Sequence, residues 1–266
     1  MHKVLTTTLL LALAACAVTR DIAPFTGPTP IAMVLQAGTW LTIGADMPLL
    51  ALYDDGQVIA RTRAPDTTTY LHTHLSDAEL RTITQQLVSF GDYSQLKRVY
   101  ELTVFATDQP QTMIYLHLEG KTFTTTVEGL HLSEPKRLAY SVFQHPDRLP
   151  TLLKDLYGYL IGLDFPEAQP WRPASIEVRI WPYDYAPDAS IPWPEDWPGL
   201  DSPSTLKRGD AYAIFLPGTA LPQLRALLQT RHARGAVEID KKKWAVSFRC
   251  MFPGERIWWH AFRTRH

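Results

Sequence analysis

His72 and His74 lie two residues apart in a stretch, Thr68 to Leu75, that alternates like a β-strand, so both imidazoles point to one face. That spacing can grip a divalent metal if a third ligand arrives from elsewhere, and His117, on another expected strand, is the candidate. No acidic or cysteine residue stands at ligand spacing beside the pair, which favours the plainer reading of half-exposed histidines at a sheet edge. Two Ser-x-x-Lys tetrads, Ser94 to Lys97 and Ser204 to Lys207, have the spacing at which a lysine can take a serine's proton. Neither is accompanied by a Lys-Thr-Gly strand, and Ser204 follows Pro203 in an expected loop, so neither is given a catalytic role. Asp54 and Asp55 sit at a hairpin tip, where adjacent side chains point apart and share no site. Gly-x-Ser-x-Gly, His-Glu-x-x-His, Cys-x-x-Cys and a phosphate-cradling glycine loop are all missing from the sequence.

A second chemistry is recognition. Trp181, Tyr183, Tyr185, Trp193 and Trp197 are spread through a proline-rich segment with acidic neighbours. Proline fixes φ and lowers the entropy cost of ordering a loop, so the rings can be held rigidly. Two readings stand. Rigid aromatic faces beside carboxylates suit stacking on a sugar ring or on a partner's side chains. Equally, a stiff loop can fold over the core with its indoles as part of that core. Lys241 to Lys243 read as a solvated hairpin tip, or as an electrostatic foot on anionic lipid.

A third chemistry belongs to Cys16. His2 and Lys3 give a short basic start, and Val4 to Ala15 is apolar apart from Thr6 to Thr8. This run is shorter than the roughly 20 residues that span a bilayer as a helix. Leu13-Ala14-Ala15-Cys16 then places small residues before a cysteine, in the order of a signal peptide and its cleavage site. The pattern resembles the lipobox of bacterial lipoproteins, over residues 1–16. That resemblance implies cleavage before Cys16, a diacylglycerol thioether on its sulfur, and an extracytoplasmic cell-envelope location with the membrane as first partner. Together with the missing enzyme signatures, it leads to the expectation of an envelope protein that binds or scaffolds, with an envelope protein or glycan as further partner. The alternative is an envelope hydrolase with an unrecognised site, either metal-dependent or built on His72, His74 and a distant carboxylate. No cofactor and no nucleic-acid partner are expected.

The elements that must position these groups follow from pattern. A chain that is 45% hydrophobic and 20% charged is ordinary for a globular protein, so disorder is not indicated. With Cys16 lipidated, Cys250 has no partner within the chain, and the fold cannot rely on an intrachain disulfide. Charge is divided: residues 16–170 hold 11 basic against 17 acidic residues, and residues 171–266 hold 14 against 10. Opposite signs would help two segments dock, and a basic face would suit anionic lipid. Asparagine is absent altogether.

Residues 1–15 are the expected signal peptide and residues 16–30 a tether with Pro24, Pro28 and Pro30, reaching about 40 Å if extended. Residues 31–165 form an N-terminal lobe and 171–266 a C-terminal lobe, joined by a linker at 165–170. Met47 to Arg63 reads as a hairpin turning at Asp54-Asp55-Gly56. Ser76 and Glu79 form a capping box for a helix ending at Gly91. Strands are expected over 102–106, 112–118 and 121–128, and helix within 133–163. In the last third, strands are expected over 175–181, 211–216, 236–239 and 243–250, and a helix over 221–234. The fold class is α+β: mostly antiparallel sheets with a few packed helices, in two closely associated lobes.

Overall fold

The structure, a computed structural model, describes residues 25–37, 47–62, 70–102, 111–130 and 148–263. In chain order the first elements are β1 (Pro30–Ala37), β2 (Met47–Tyr53), β3 (Gln57–Arg61), β4 (Tyr70–His74), α1 (Asp77–Ser89), β5 (Val99–Glu101), β6 (Gln111–Leu118), β7 (Lys121–Glu128) and α2 (Thr151–Gly162). A short strand β8 (Gln169–Pro170) leads to β9 (Ser175–Pro182), β10 (Asp188–Pro192), β11 (Leu206–Arg208), β12 (Ala211–Pro217), α3 (Leu221–Gln229), β13 (Gly235–Ile239), β14 (Lys242–Cys250) and α4 (Glu255–Arg263). The class is α+β, with two mostly antiparallel sheets of eight and six strands.

The first sheet has the order β5-β7-β6-β1-β2-β3-β4-β8. Its β2–β3 hairpin turns where expected. Gly56 has φ +86°, and a Cβ there would meet the Leu75 carbonyl oxygen at 2.7 Å, so only glycine closes this turn without strain. α1 begins with the expected capping box: the Glu79 carboxylate accepts from the Ser76 N–H at 2.8 Å, and the Glu79 N–H donates to Ser76 Oγ. α1 and α2 cover one face of this sheet. Ile83, Leu87, Leu153, Leu156 and Leu160 pack there against Ala32, Val34, Leu52, Ile114 and Leu116.

β1 lies at the centre of the sheet, between β6 and β2, and was not anticipated by the sequence reading. Its other face explains why. Met33 and Leu35 point away from α1 and α2 into a second core with Ala51, Tyr53, Ile59, Tyr115, Phe252 and Trp258. A strand buried on both faces is a continuous apolar run without alternation, as in Ile31-Ala32-Met33-Val34-Leu35. Phe252 and Trp258 come from the end of the chain. The expected C-terminal lobe, 171–266, therefore sends α4 across to cover the back of the N-terminal sheet. Trp258 is fully buried there and stacks on Trp259 with ring centroids 4.8 Å apart.

The second sheet has the order β10-β13-β14-β9-β12-β11. Ile176, Val178 and Ile180 of β9 face α3, where Leu224 is fully buried. The segment expected as a loop, 182–203, contains β10, which pairs in parallel with β13. The helix expected over 221–234 stops at Gln229, and Gly235 opens β13 instead. A short strand, β5, occupies Val99–Glu101; of the strand expected at 102–106 only Leu102 is described, just past the end of β5, and residues 103–106 lie outside the described residues, as does 133–147 of the expected helical stretch.

The expected tether 16–30 is also shorter than anticipated. Phe25 packs edge-on against Phe215 at 5.6 Å, and the Gly254 N–H donates to the Thr26 carbonyl at 3.3 Å. Residues 25 and 26 thus already pack on the folded body. Cys16 itself lies outside the described residues.

Cys250 is free and buried at the end of β14. Burial pushes its thiol up from its ordinary value, with Arg225 and Arg249 opposing in part. The thiolate is the nucleophile, so a buried, high-pKa thiol is inert. We expect alkylation of Cys250 by iodoacetamide only after unfolding, read by peptide mass spectrometry; rapid labelling of the native protein would contradict this placement.

Candidate binding face

The histidines are not brought together. His72 pairs with Ile59 and His74 with Gln57, on the sheet face opposite α1 and α2. His117 lies on β6, four strands away in the sheet order. At 4.7–4.9 Å per strand that is about 19 Å, far beyond any shared metal. His117 instead exchanges a hydrogen bond with Thr122 Oγ1 at 2.9 Å through Nδ1. The three-histidine metal site is therefore corrected. Among the described residues no group of three His, Cys, Asp or Glu is placed to hold a metal ion. His72 lines a cleft of about 210 Å³ with Arg61, Thr73, Asp164 and Phe165, while His74 is exposed.

The Ser-x-x-Lys tetrads do not form dyads at a helix start. Ser94 sits in a single 3-10 turn whose cap is the Asp92 carboxylate. Ser204 Oγ shares a hydrogen bond with Ser202 Oγ, and the Lys207 ammonium lies 5.7 Å above the Tyr212 ring.

The aromatic segment divides into two parts. Trp193 is buried, 8% exposed, against the α3 side of the second sheet. Its Nε1–H donates to the Pro198 carbonyl at 3.1 Å, and its backbone N–H to Glu238 at 2.9 Å. Trp197 packs edge-on against it at 5.0 Å and is half-buried. The Asp240 carboxylate accepts from the Leu200 N–H at 3.3 Å, tying the loop to the β13–β14 turn. Trp193 and Trp197 are thus withdrawn from the expected binding face. The prolines let the loop fold back over the sheet, and burying the indoles there removes apolar area from water.

Trp181, Tyr183 and Tyr185 behave differently. β9 reads Ser-Ile-Glu-Val-Arg-Ile-Trp, and with Ile176, Val178 and Ile180 turned to α3, its alternation turns Glu177, Arg179 and Trp181 to the opposite, outer face. Register places Arg249, Ser247 and Ala245 of β14 beside them in that order. On the other side β12 contributes Phe215 and Ala213, and β11 brings Leu206 and Arg208. Phe25, Met251 and Leu206 cover the Phe215 end. Trp181 is only half-buried, Tyr183 stacks edge-on against Tyr185 at 4.9 Å, and Tyr185 is 82% exposed.

Beneath this face lies a charge cluster the sequence reading missed. Glu177, fully buried, takes Arg249 and Arg179 on Oε2 and has Arg208 at 3.5 Å from Oε1. Arg249 also makes a two-point pair with Glu255, both contacts 2.7 Å, and Glu255 accepts from the Phe252 N–H at 2.8 Å. Burial alone would raise the Glu177 carboxyl, but Arg249, Arg179 and Arg208 together hold it below its ordinary value. Burial likewise opposes the charge on Arg249, and the two glutamates outweigh it and raise its pKa. Glu255 stands in the first turn of α4, where a negative charge also complements the helix dipole. The cluster joins the second sheet to the helix that covers the first.

The signal for these groups was present as alternation. A charged residue at every second position of a strand otherwise made of Ile and Val marks the outer face. What alternation could not give is the pairing of Glu177 with Arg249, 72 residues apart. Compared with protein-family models, curated proteins and solved structures, the chain matches none.

Proposed function

We propose that the chain is a cell-envelope lipoprotein, held to a membrane by a diacylglycerol thioether on Cys16, that acts there by binding or scaffolding rather than by catalysis. The order of basic start, apolar run, small residues and cysteine over residues 1–16 supports the anchor. Among the described residues no helix is long and apolar enough to cross a membrane. The observation that carries the binding part is the outer face of the second sheet. It carries the half-buried Trp181 two residues from Arg179 on β9 and also bears Arg208, the two arginine side chains being 20% and 53% exposed, and the exposed Tyr185 follows just beyond the end of β9. Aromatic and arginine side chains on a rigid sheet are the types that dominate recognition surfaces.

Cys16→Ser tests the anchor. The wild-type protein is expected in the membrane fraction and to stay there in high salt. The variant is expected to lose the lipid mass and the cleavage that depends on it. An unchanged mass in the membrane fraction would defeat the proposal.

A further inference from the structure

We propose that the outer face of the C-terminal sheet lies against the anionic surface of the membrane that carries the lipid anchor; the inference rests on lipidation of Cys16. The first ground is where the chain enters. Phe25, the first described residue, sits on this face, against Ala213, Phe215 and Met251. Phe25 lies nine residue steps from Cys16, and a fully extended chain of that length spans at most about 32 Å. An anchor so close, attached to one face of the body, holds that face toward the bilayer.

The second ground is charge. Arg179, Arg208 and Arg249 share the Glu177 carboxylate, and Arg249 is also paired with Glu255, so three cations stand against two anions. The two more exposed arginines, Arg179 and Arg208, meet different oxygens of one buried carboxylate, Oε2 and Oε1 of Glu177, and guanidinium groups are the side chains suited to a phosphodiester headgroup. At the entry point the Arg256 guanidinium lies 6.0 Å from the Phe25 ring. Farther along, Lys243 stands opposite Glu238, and Asp184 and Asp210 follow the ends of β9 and β11, so cations outnumber anions only at the arginine cluster. The whole chain repeats this polarity. Residues 171–266 carry 14 basic against 10 acidic side chains, whereas residues 16–170 carry 11 against 17. An anionic surface attracts the second lobe and repels the first, which turns the molecule the same way the anchor does.

The third ground is aromatic: Trp181 stands at the far end of the face, and the exposed Tyr185 follows just beyond β9. Trp181 and Tyr185 are amphipathic rings, the types that settle at headgroup level.

The test uses the mature protein purified from membranes and reconstituted on vesicles of phosphatidylcholine alone or mixed with phosphatidylglycerol. Flotation reports the anchor, and amide hydrogen exchange reports the face. Co-flotation is expected with both vesicles. On the anionic vesicles only, peptides over Leu206–Ala211 and Trp181–Tyr185 are expected to exchange several-fold more slowly, and high salt is expected to reverse the effect. Arg208→Gln and Tyr185→Ser, both at exposed positions, are expected to weaken this protection while leaving exchange in α1 and β1 unchanged. Co-flotation with equal exchange at these peptides on both vesicles would overturn the inference and leave the face to a protein or glycan partner. Failure to co-float with either vesicle would refute the lipid anchor, and the membrane-facing assignment with it.

Discussion

Glu255→Ala lowers stability by about 3–5 kcal/mol, the expected cost of leaving a buried charge without its partner. Arg249 is 4% exposed, and Glu255 supplies its two-point ion pair. Removing the carboxylate strands the guanidinium beside Glu177 alone and leaves the Phe252 N–H, also bound to Glu255, without an acceptor. It further removes a favourable charge from the first turn of α4. The loss is not confined to the second sheet, because α4 carries Trp258 into the back of the first. A fall of this size is a large part of the ~5–15 kcal/mol a domain possesses. Urea denaturation followed by tryptophan emission measures it. A loss under about 1 kcal/mol would mean that the cluster does not clasp the two halves. By contrast, the surface pair Arg234–Asp188, at 3.7 Å, is expected to be worth little. The same cluster sets an acid limb. Glu177 is depressed below its ordinary value of 4.5, so its contribution is present above that pH. It is lost as pH falls through the lower folded-state value.

Trp193→Ala is the second large effect, with an expected cost of about 3–5 kcal/mol for a core indole cut back to a methyl group. The ring is 8% exposed, holds a hydrogen bond to Pro198, and packs against Trp197 and the α3 side of the sheet. Tyr185→Ala, a few residues away in the same aromatic segment, is expected to change stability by no more than about 0.5 kcal/mol, since its side chain is 82% exposed. Thermal melts of the two variants separate the roles. Similar melting temperatures for both would contradict the division of this segment into a core part and a surface part.

That division shows where sequence pattern stops. Composition marked 181–197 as unusual, but aromatic residues between prolines look alike whether the loop folds inward or outward. Only the alternation of β9 separates them, because Trp181 falls in the outward register with Glu177 and Arg179. Elements with local signatures were legible: the Asp54-Asp55-Gly56 hairpin, whose Gly56 has positive φ, and the Ser76–Glu79 cap. Elements defined by tertiary burial were not. β1 shows no alternation because both its faces are core. α4 is nine residues long, and the apolar side of so short a helix is meaningful only once the sheet it covers is known. The metal expectation failed for a related reason. Spacing put His72 and His74 on one face, but strand order alone decides that His117 lies four strands away.

The intact mass of the protein extracted from the membrane fraction tests the lipid anchor most directly. Lipidation of Cys16 requires a chain that begins at Cys16, shortened by the first fifteen residues and heavier by a diacylglycerol group, with the added mass on the peptide containing Cys16. A full-length chain from Met1, or a chain beginning at Cys16 with no added lipid, would contradict it.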